Sequence, residues 1–413
     1  MGGGCGRKSQ LRGVRLGPEI LITDGTERAA LAVARALVTA GYQVHVAAAR
    51  PLSLAGVSRG VQRCLLTTDP FADASGYVAE LGEIISGRGI GVLLPMTDVS
   101  VEAVLEHRHL LPPAVALPLP GLAAYRRASD KLQVLELARA AGFAVPQTVV
   151  LDCRDQGGAW PDELFPAVVK PHRSVVTVDG KRRSLGVSFV GDATECRRAL
   201  AMLPPAAFPV LLQRRVAGVG EGLFALRWEG RTVARFAHRR LREKPPAGGV
   251  SVYRESIALD PRLVSAGERL LDALEWTGVA MIECKRDPDT GRHVIMEING
   301  RFWGSVQLAI DAGVDFPVLL VRCALGQAPA EPTVTGYRVG VRSRWFWGDV
   351  DHLYLRLTRS LAQLQVTDDY DSRLRAVLRF LTIHPGRDRC EVWRWRDPAP
   401  FLFETSQRLG LAR

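Results

Sequence analysis

The sequence predicts a protein that is α/β at its N-terminus and α+β beyond, with a parallel sheet first, a β-rich middle and a small mixed tail. Three observations carry this. Strand-type apolar runs alternate with helical patterns over residues 20–95. A Pro-rich stretch over 111–120 then breaks the alternation. Past it, hairpin signals recur, with one long helical pattern between them.

The elements follow in order. Ile20, Leu21 and Ile22 form an apolar run, and Thr23-Asp24-Gly25-Thr26 a turn. A helical pattern covers 27–39, Gly41 closes it, and a strand follows over 42–47. A helix over 74–86 and an apolar strand over 91–95 continue the series, so a parallel sheet covered on both faces is expected. The turn after the first strand lacks G-x-G-x-x-G, which disfavours a nicotinamide dehydrogenase. Asp98, at the next strand's end, is expected to cap a helix. After the Pro-rich break, Asp130 caps a helix over 131–141 that Gly142 ends. Hairpin turns are read at Glu229-Gly230 and at 287–291, with a helix over 261–276 between them.

Composition narrows the function classes. A chain of 413 residues implies two or three domains, and 47% hydrophobic with 23% charged residues describes an ordinary globular protein. No run of about 18 apolar residues occurs, so no membrane partner is expected. The N-terminus has no apolar core of a secretory signal and reads as a disordered basic tail over 1–17. The seven cysteines are scattered and never form C-x-x-C, which argues against a disulfide framework or zinc site and for a reducing cytoplasm. A formal net charge of +11 comes mostly from dispersed Arg. It suits anionic small substrates better than nucleic acid.

The densest chemistry lies over 278–301. Strand alternation puts Glu283 and Lys285 on one face, and Glu297, Asn299 and Arg301 on one face of the hairpin partner. Two carboxylates and an amide oxygen that converge suit Mg²⁺, which keeps waters and binds beside substrate phosphates. Arg301 then stands as a fixed cation for a developing negative charge. Lys170 ends an apolar strand, where its ammonium can meet a phosphate oxygen. Lys131 opens a helix, an unfavourable place for a cation unless an anion lies near. The polar segment after Lys170, with Gly180 and Gly186, reads either as a lid over phosphates or as a plain hairpin. Residues 211–216 form a strand whose edge can read an adenine, and a carboxylate just beyond can bind ribose. His238-Arg239-Arg240 leads into a Gly/Pro loop over 245–251, a basic element suited to anions.

These parts in this order resemble an ATP-grasp enzyme, similar to the ligase domains of carbamoyl-phosphate synthase and biotin carboxylase and most like bacterial carboxylate–amine ligases. The resemblance rests on Ser129-Asp130-Lys131, Val168-Val169-Lys170-Pro171, Gln213 through Glu221, Glu283-Cys284-Lys285 and Met296-Glu297-Ile298-Asn299-Gly300-Arg301-Phe302-Trp303-Gly304-Ser305. It implies a pre-ATP-grasp domain over 18–118, a two-lobed ATP-grasp domain over 119–330 with a lid near 171–188, and a mixed extension over 331–413. It also implies that Lys131 and Lys170 contact ATP phosphates, that Gln213, Arg214 and Val216 line the adenine site, and that Glu221 binds ribose. Glu283, Glu297 and Asn299 would hold Mg²⁺, with Mn²⁺ as an alternative. Arg301 would stabilise the reacting centre, and Arg240 would contact phosphate or substrate. The implied reaction is Mg-ATP-dependent activation of a small carboxylate for attack by an amine, and the extension is a candidate homodimer interface. Two departures stand out. The segment after Lys170 is longer and more basic than a compact Gly/Ser lid, and Arg214 stands where many members carry an acid. ATP-dependent carboxylation or transfer to a thiol or phosphoryl acceptor, and a non-catalytic nucleotide- or basic nucleic-acid-binding protein, remain the alternative readings.

Overall fold

The structure, a computed structural model, describes residues 17–154, 160–178, 181–330, 336–366 and 372–411. The expected tail up to residue 16, the Asp179-Gly180 turn and the boundary at 331 lie outside the described residues. No helix among the described residues is long and apolar enough to cross a membrane.

The N-terminal sheet is parallel, as the alternation predicts. It contains β1 (Glu19–Ile22), β2 (Val44–Ala48), β3 (Val61–Leu66) and β4 (Ile90–Leu94), in the order β3-β2-β1-β4. The sequence reading passed over β3 because it is a half-exposed edge strand without a continuous apolar run. The turn after β1 serves the protein itself. Asp24 accepts hydrogen bonds from Thr97 Oγ1 (3.1 Å) and Ser100 Oγ (2.6 Å), tying β1 to the loop after β4.

A second, antiparallel sheet contains β5 (Thr148–Leu151), β6 (Ala167–Pro171), β9 (Ser188–Val190) and β10 (Val210–Arg214), in the order β5-β10-β6-β9. Between β6 and β9 the chain makes a hairpin of β7 (Val175–Val178) and β8 (Lys181–Ser184). This hairpin leans on the N-terminal part: Arg182 N–H donates to Phe71 O (3.2 Å), and its guanidinium pairs with Glu106.

The largest sheet orders β15 (His293–Asn299), β14 (Gly278–Arg286), β11 (Val219–Trp228), β12 (Arg231–Lys244), β13 (Val250–Ser256), β16 (Arg342–Arg344) and β17 (Asp388–Cys390). The tight turn from β11 to β12 places Glu229 and Gly230 both at positive φ, the hairpin geometry that Glu-Gly signalled. The C-terminal residues are therefore part of the sheet, supplying its last two strands.

One face of this sheet packs on the helices Lys131–Ala141 and Pro261–Ala273 through Leu223, Ile282, Cys284 and Leu270. The other packs on the helices Arg28–Thr39 and Phe316–Ala324 through Phe224, Phe236 and Met281. Trp276, 2% exposed, plugs the first core, its indole N–H donating to Val279 O (3.2 Å). Trp276→Ala is expected to lower stability by about 3–5 kcal/mol, measured by urea unfolding, because the cavity left cannot close.

Candidate active site

Cross-strand register builds the site row by row. Phe236, Phe224 and Met281 lie opposite one another on β12, β11 and β14, with Asn299 opposite Met281, and their apolar side chains form the core floor. Two residues further along, on the same face, the row reads His238, Gly222, Glu283 and Glu297. The core row thus gives way in one step to a polar row. Above it stands the face of the second sheet that carries Val168, Lys170 and Gln213. Its opposite face packs Val169, Leu212 and Val210 into a separate core. Between the two sheets lies a cavity of about 400 Å³.

Most of the residues singled out from the sequence meet there. Lys170, Gln213, Arg214, Val216, Arg240, Glu283, Glu297, Asn299 and Arg301 all line it. Lys131 lies in an adjoining recess that shares Glu297 and Asn299, and it donates to Ser174 Oγ (3.0 Å) on the way into the β7–β8 hairpin. It is 9% exposed rather than a solvated helical lysine. Asp130 caps its helix as expected, accepting from Leu132 N and Gln133 N.

Glu221 is not brought to this cavity. It pairs with Cys284 across the ladder, one residue out of phase with Glu283, so it faces the opposite side of the sheet. There its carboxylate bonds His293 Nε2 (2.9 Å). The alternation of side chains that brought Glu283 in turned Glu221 out. Asp98 also differs from the expectation. Thr97 supplies the helix cap, and Asp98 instead bonds Arg301 (3.0 Å to Nε) and Tyr125 (3.2 Å).

Electrostatics give the site its character. Burial pushes the Glu283 carboxyl up, and nearby Glu297 and Glu243 push the same way against the pull of Arg240. Arg240 bridges Glu283 (2.5 Å) and Glu243 (2.7 Å). Burial pulls the Lys170 ammonium down, partly offset by Glu297. Arg301 is held from several sides, by Asp98, by Phe302 O (3.0 Å) and by Asn299 Oδ1 (3.3 Å). Among the described residues no cluster of three His, Cys, Asp or Glu side chains could hold a metal alone. Glu283 and Glu297 side by side, with Asn299 donating to Glu297 Oε1 (3.2 Å), form the oxygen set that suits a cation sharing its ligands with waters and phosphates. The residues present therefore fit Mg²⁺.

Residues 222–345 match a family model described as ATP-grasp in the biosynthetic pathway with Ter operon. No curated protein matches the chain in sequence. Among solved structures it superposes on an L-amino acid ligase from Bacillus licheniformis with a TM-score of 0.59, at 15% identity, covering 79% of each chain. The chain has an ATP-grasp fold. The same fold is shared with an N5-carboxyaminoimidazole synthetase from Staphylococcus aureus (TM-score 0.59, 14% identity, 79% of this chain and 81% of that one). It is shared too with the biotin carboxylase domain of the Hydrogenobacter thermophilus 2-oxoglutarate carboxylase, solved with MgADP, ADP and bicarbonate (0.59, 14%, 78% and 73%). The ATP-grasp resemblance read from the sequence thus holds at the level of the fold.

Several cavity residues carried no role in the sequence reading. Arg28 opens the first helix and reaches Gly304, where an added Cβ would lie 3.3 Å from its Nη2. Its guanidinium is fixed by Glu391 (2.7 Å) and stacks on Trp345 (3.9 Å to the ring centre), so the C-terminal residues hold one wall residue of the site in place. No local pattern joins residues this far apart in the chain. Lys285 donates to Val216 O (3.0 Å), and Arg215, His238 and Ser251 complete the wall. Two of them had a usable signal: Lys285 alternates in phase with Glu283, and His238 with Arg240 in a segment already marked as basic.

Proposed function

We propose that the chain is a Mg-ATP-dependent ligase that activates a small carboxylate as an acylphosphate and passes the acyl group to an amine. The observation that carries this reading is the meeting of Glu283, Glu297 and Asn299 with Lys170 across a cavity between two sheets. Residues 119–330 would supply the nucleotide site, 18–118 its support, and 331–413 the side chains that hold Arg28 in the cavity wall. Mg²⁺ held by Glu283, Glu297 and Asn299 would supply Lewis-acid neutralisation of phosphate charge.

The chain's own groups divide the remaining work. Lys170 and Lys131 bind phosphate oxygens, and a phosphate restores the favourable surroundings that burial takes from the Lys170 ammonium. Gln213, Arg214 and Val216 border the adenine end of the cavity. Arg301, immobilised by Asp98, offers its guanidinium to the charge that grows first on the γ-phosphoryl group and then on the tetrahedral oxygen. Closure of the two sheets on bound substrates would keep water from the acylphosphate.

The test is Mg²⁺-dependent ADP release from pooled carboxylates and primary amines. Release that requires both pools, and that stops on adding EDTA, is the expected result. Release that follows bicarbonate and ignores the amines would overturn the amine acceptor.

A further inference from the structure

His238 is the buried polar group that the nucleotide half of the mechanism leaves unused. It is 1% exposed, lines the cavity, and neither ring nitrogen has a hydrogen-bond partner. A buried imidazole with both nitrogens unsatisfied is costly unless a ligand completes it. Its position is fixed from two directions. The ladder sets it on the same face and in the same row as Glu283, with only Gly222 between them. Two strand spacings place the two Cα atoms about 10 Å apart, and the tip of the Phe224 ring and the Met281 methyl cover Gly222 between them. Phe224 stands edge-on to the ring at 4.7 Å between centroids and fixes its plane. Ser251 Oγ and Trp303 Nε1, on other walls of the cavity, are likewise buried and unpartnered. The three unsatisfied groups thus line the same cavity as the carboxylates.

Resting on the ligase reading above, we propose that His238 is a catalytic residue, the base that takes a proton from the incoming ammonium group and so makes the amine a nucleophile. Burial, with Arg240 on its own strand and Arg254 on β13, holds the imidazole in its neutral, proton-accepting form. The same burial and positive neighbours penalise an ammonium in that place as they do the imidazolium, so the transfer moves one charge between two equally disfavoured sites. The balance is simple. One ammonium proton passes to an unprotonated ring nitrogen of His238, leaving a neutral amine and an imidazolium. The amine lone pair then forms the C–N bond, and the C–O bond to phosphate breaks with its electron pair leaving on phosphate. The second N–H proton departs on that phosphate, and the imidazolium returns its proton to water after product release.

The experiment compares wild type with His238→Gln, using Mg-ATP, a mixed pool of amino, hydroxy, dicarboxylic and aromatic acids, and two kinds of nucleophile. Hydroxylamine is mostly uncharged at neutral pH and needs no base, whereas primary alkylamines arrive protonated. The variant is expected to form hydroxamates within about twofold of wild type, which also shows that it is folded. Its amide formation with primary amines should fall about a hundredfold or more. Unchanged amide formation, or an equal loss with both nucleophiles, would overturn the base and leave His238 a packing residue. If wild type itself forms no hydroxamate from any acid in the pool, the ligase reading fails, and the base falls with it.

Discussion

Replacing Glu297 with alanine is expected to lower Mg-ATP turnover about a thousandfold or more while leaving the protein folded. Glu297 sits opposite Glu283 on adjacent strands, and the oxygen set for a divalent cation loses half of its charge without it. The fold does not depend on it. Its hydrogen bond to Asn299 is partly exposed, and its charge opposes that of Glu283, whose carboxyl it pushes up. Melting temperature should stay close to wild type, because relief of the repulsion on Glu283 is offset by lost attraction to the buried Lys170 ammonium. Near-normal turnover would remove Glu297 from the metal set. A collapsed melting temperature would mean that the loss reports structure rather than chemistry.

Arg301→Ala is expected to reduce the turnover number about 10²–10³-fold with a smaller effect on nucleotide binding. A guanidinium held by Asp98, by Phe302 O and by the Asn299 side chain is oriented before substrate arrives. Such a group acts on charge that appears only during reaction, so its loss should fall mainly on the rate rather than on KM. Arg301→Lys should recover little, since one ammonium cannot reproduce a fork that bonds Asp98 and Asn299 together. Asp98→Asn should lower the rate less than Arg301→Ala. It should add little to the double variant, because Asp98 acts through Arg301. Additive losses would show that Asp98 has a separate task.

The site was legible in the sequence where chemistry sits on regular local structure. Glu283, Glu297 and Asn299 fall on two strands of one hairpin, so alternation set the face within each strand, and the register that pairs Glu283 with Glu297 makes the two faces one. Lys170 ends an apolar strand, and strand ends open onto cavities. The parallel N-terminal sheet was legible through its alternating runs, except for β3, whose half-exposed edge carries no apolar signature. What could not be read depends on phase or on distance along the chain. Glu221 has the right composition and neighbourhood, yet one step of alternation turns it to His293. Arg28 gains its place from Glu391 across nearly the whole chain, and no spacing rule joins them. The C-terminal residues carry no motif because their contribution is two sheet strands and buried carboxylates such as Glu391 that pair with distant arginines, not a ligand set of their own.

The most direct test of the central claim follows one oxygen atom. A carboxylate labelled with heavy oxygen is turned over with Mg-ATP and an amine, and the released phosphate is weighed by mass spectrometry. Activation as an acylphosphate requires a carboxylate oxygen to bond the γ-phosphorus and to leave with it when the C–N bond forms. The phosphate should therefore carry one labelled oxygen per turnover. Phosphate released without label, while amide accumulates, would contradict the acylphosphate and with it the proposed reaction.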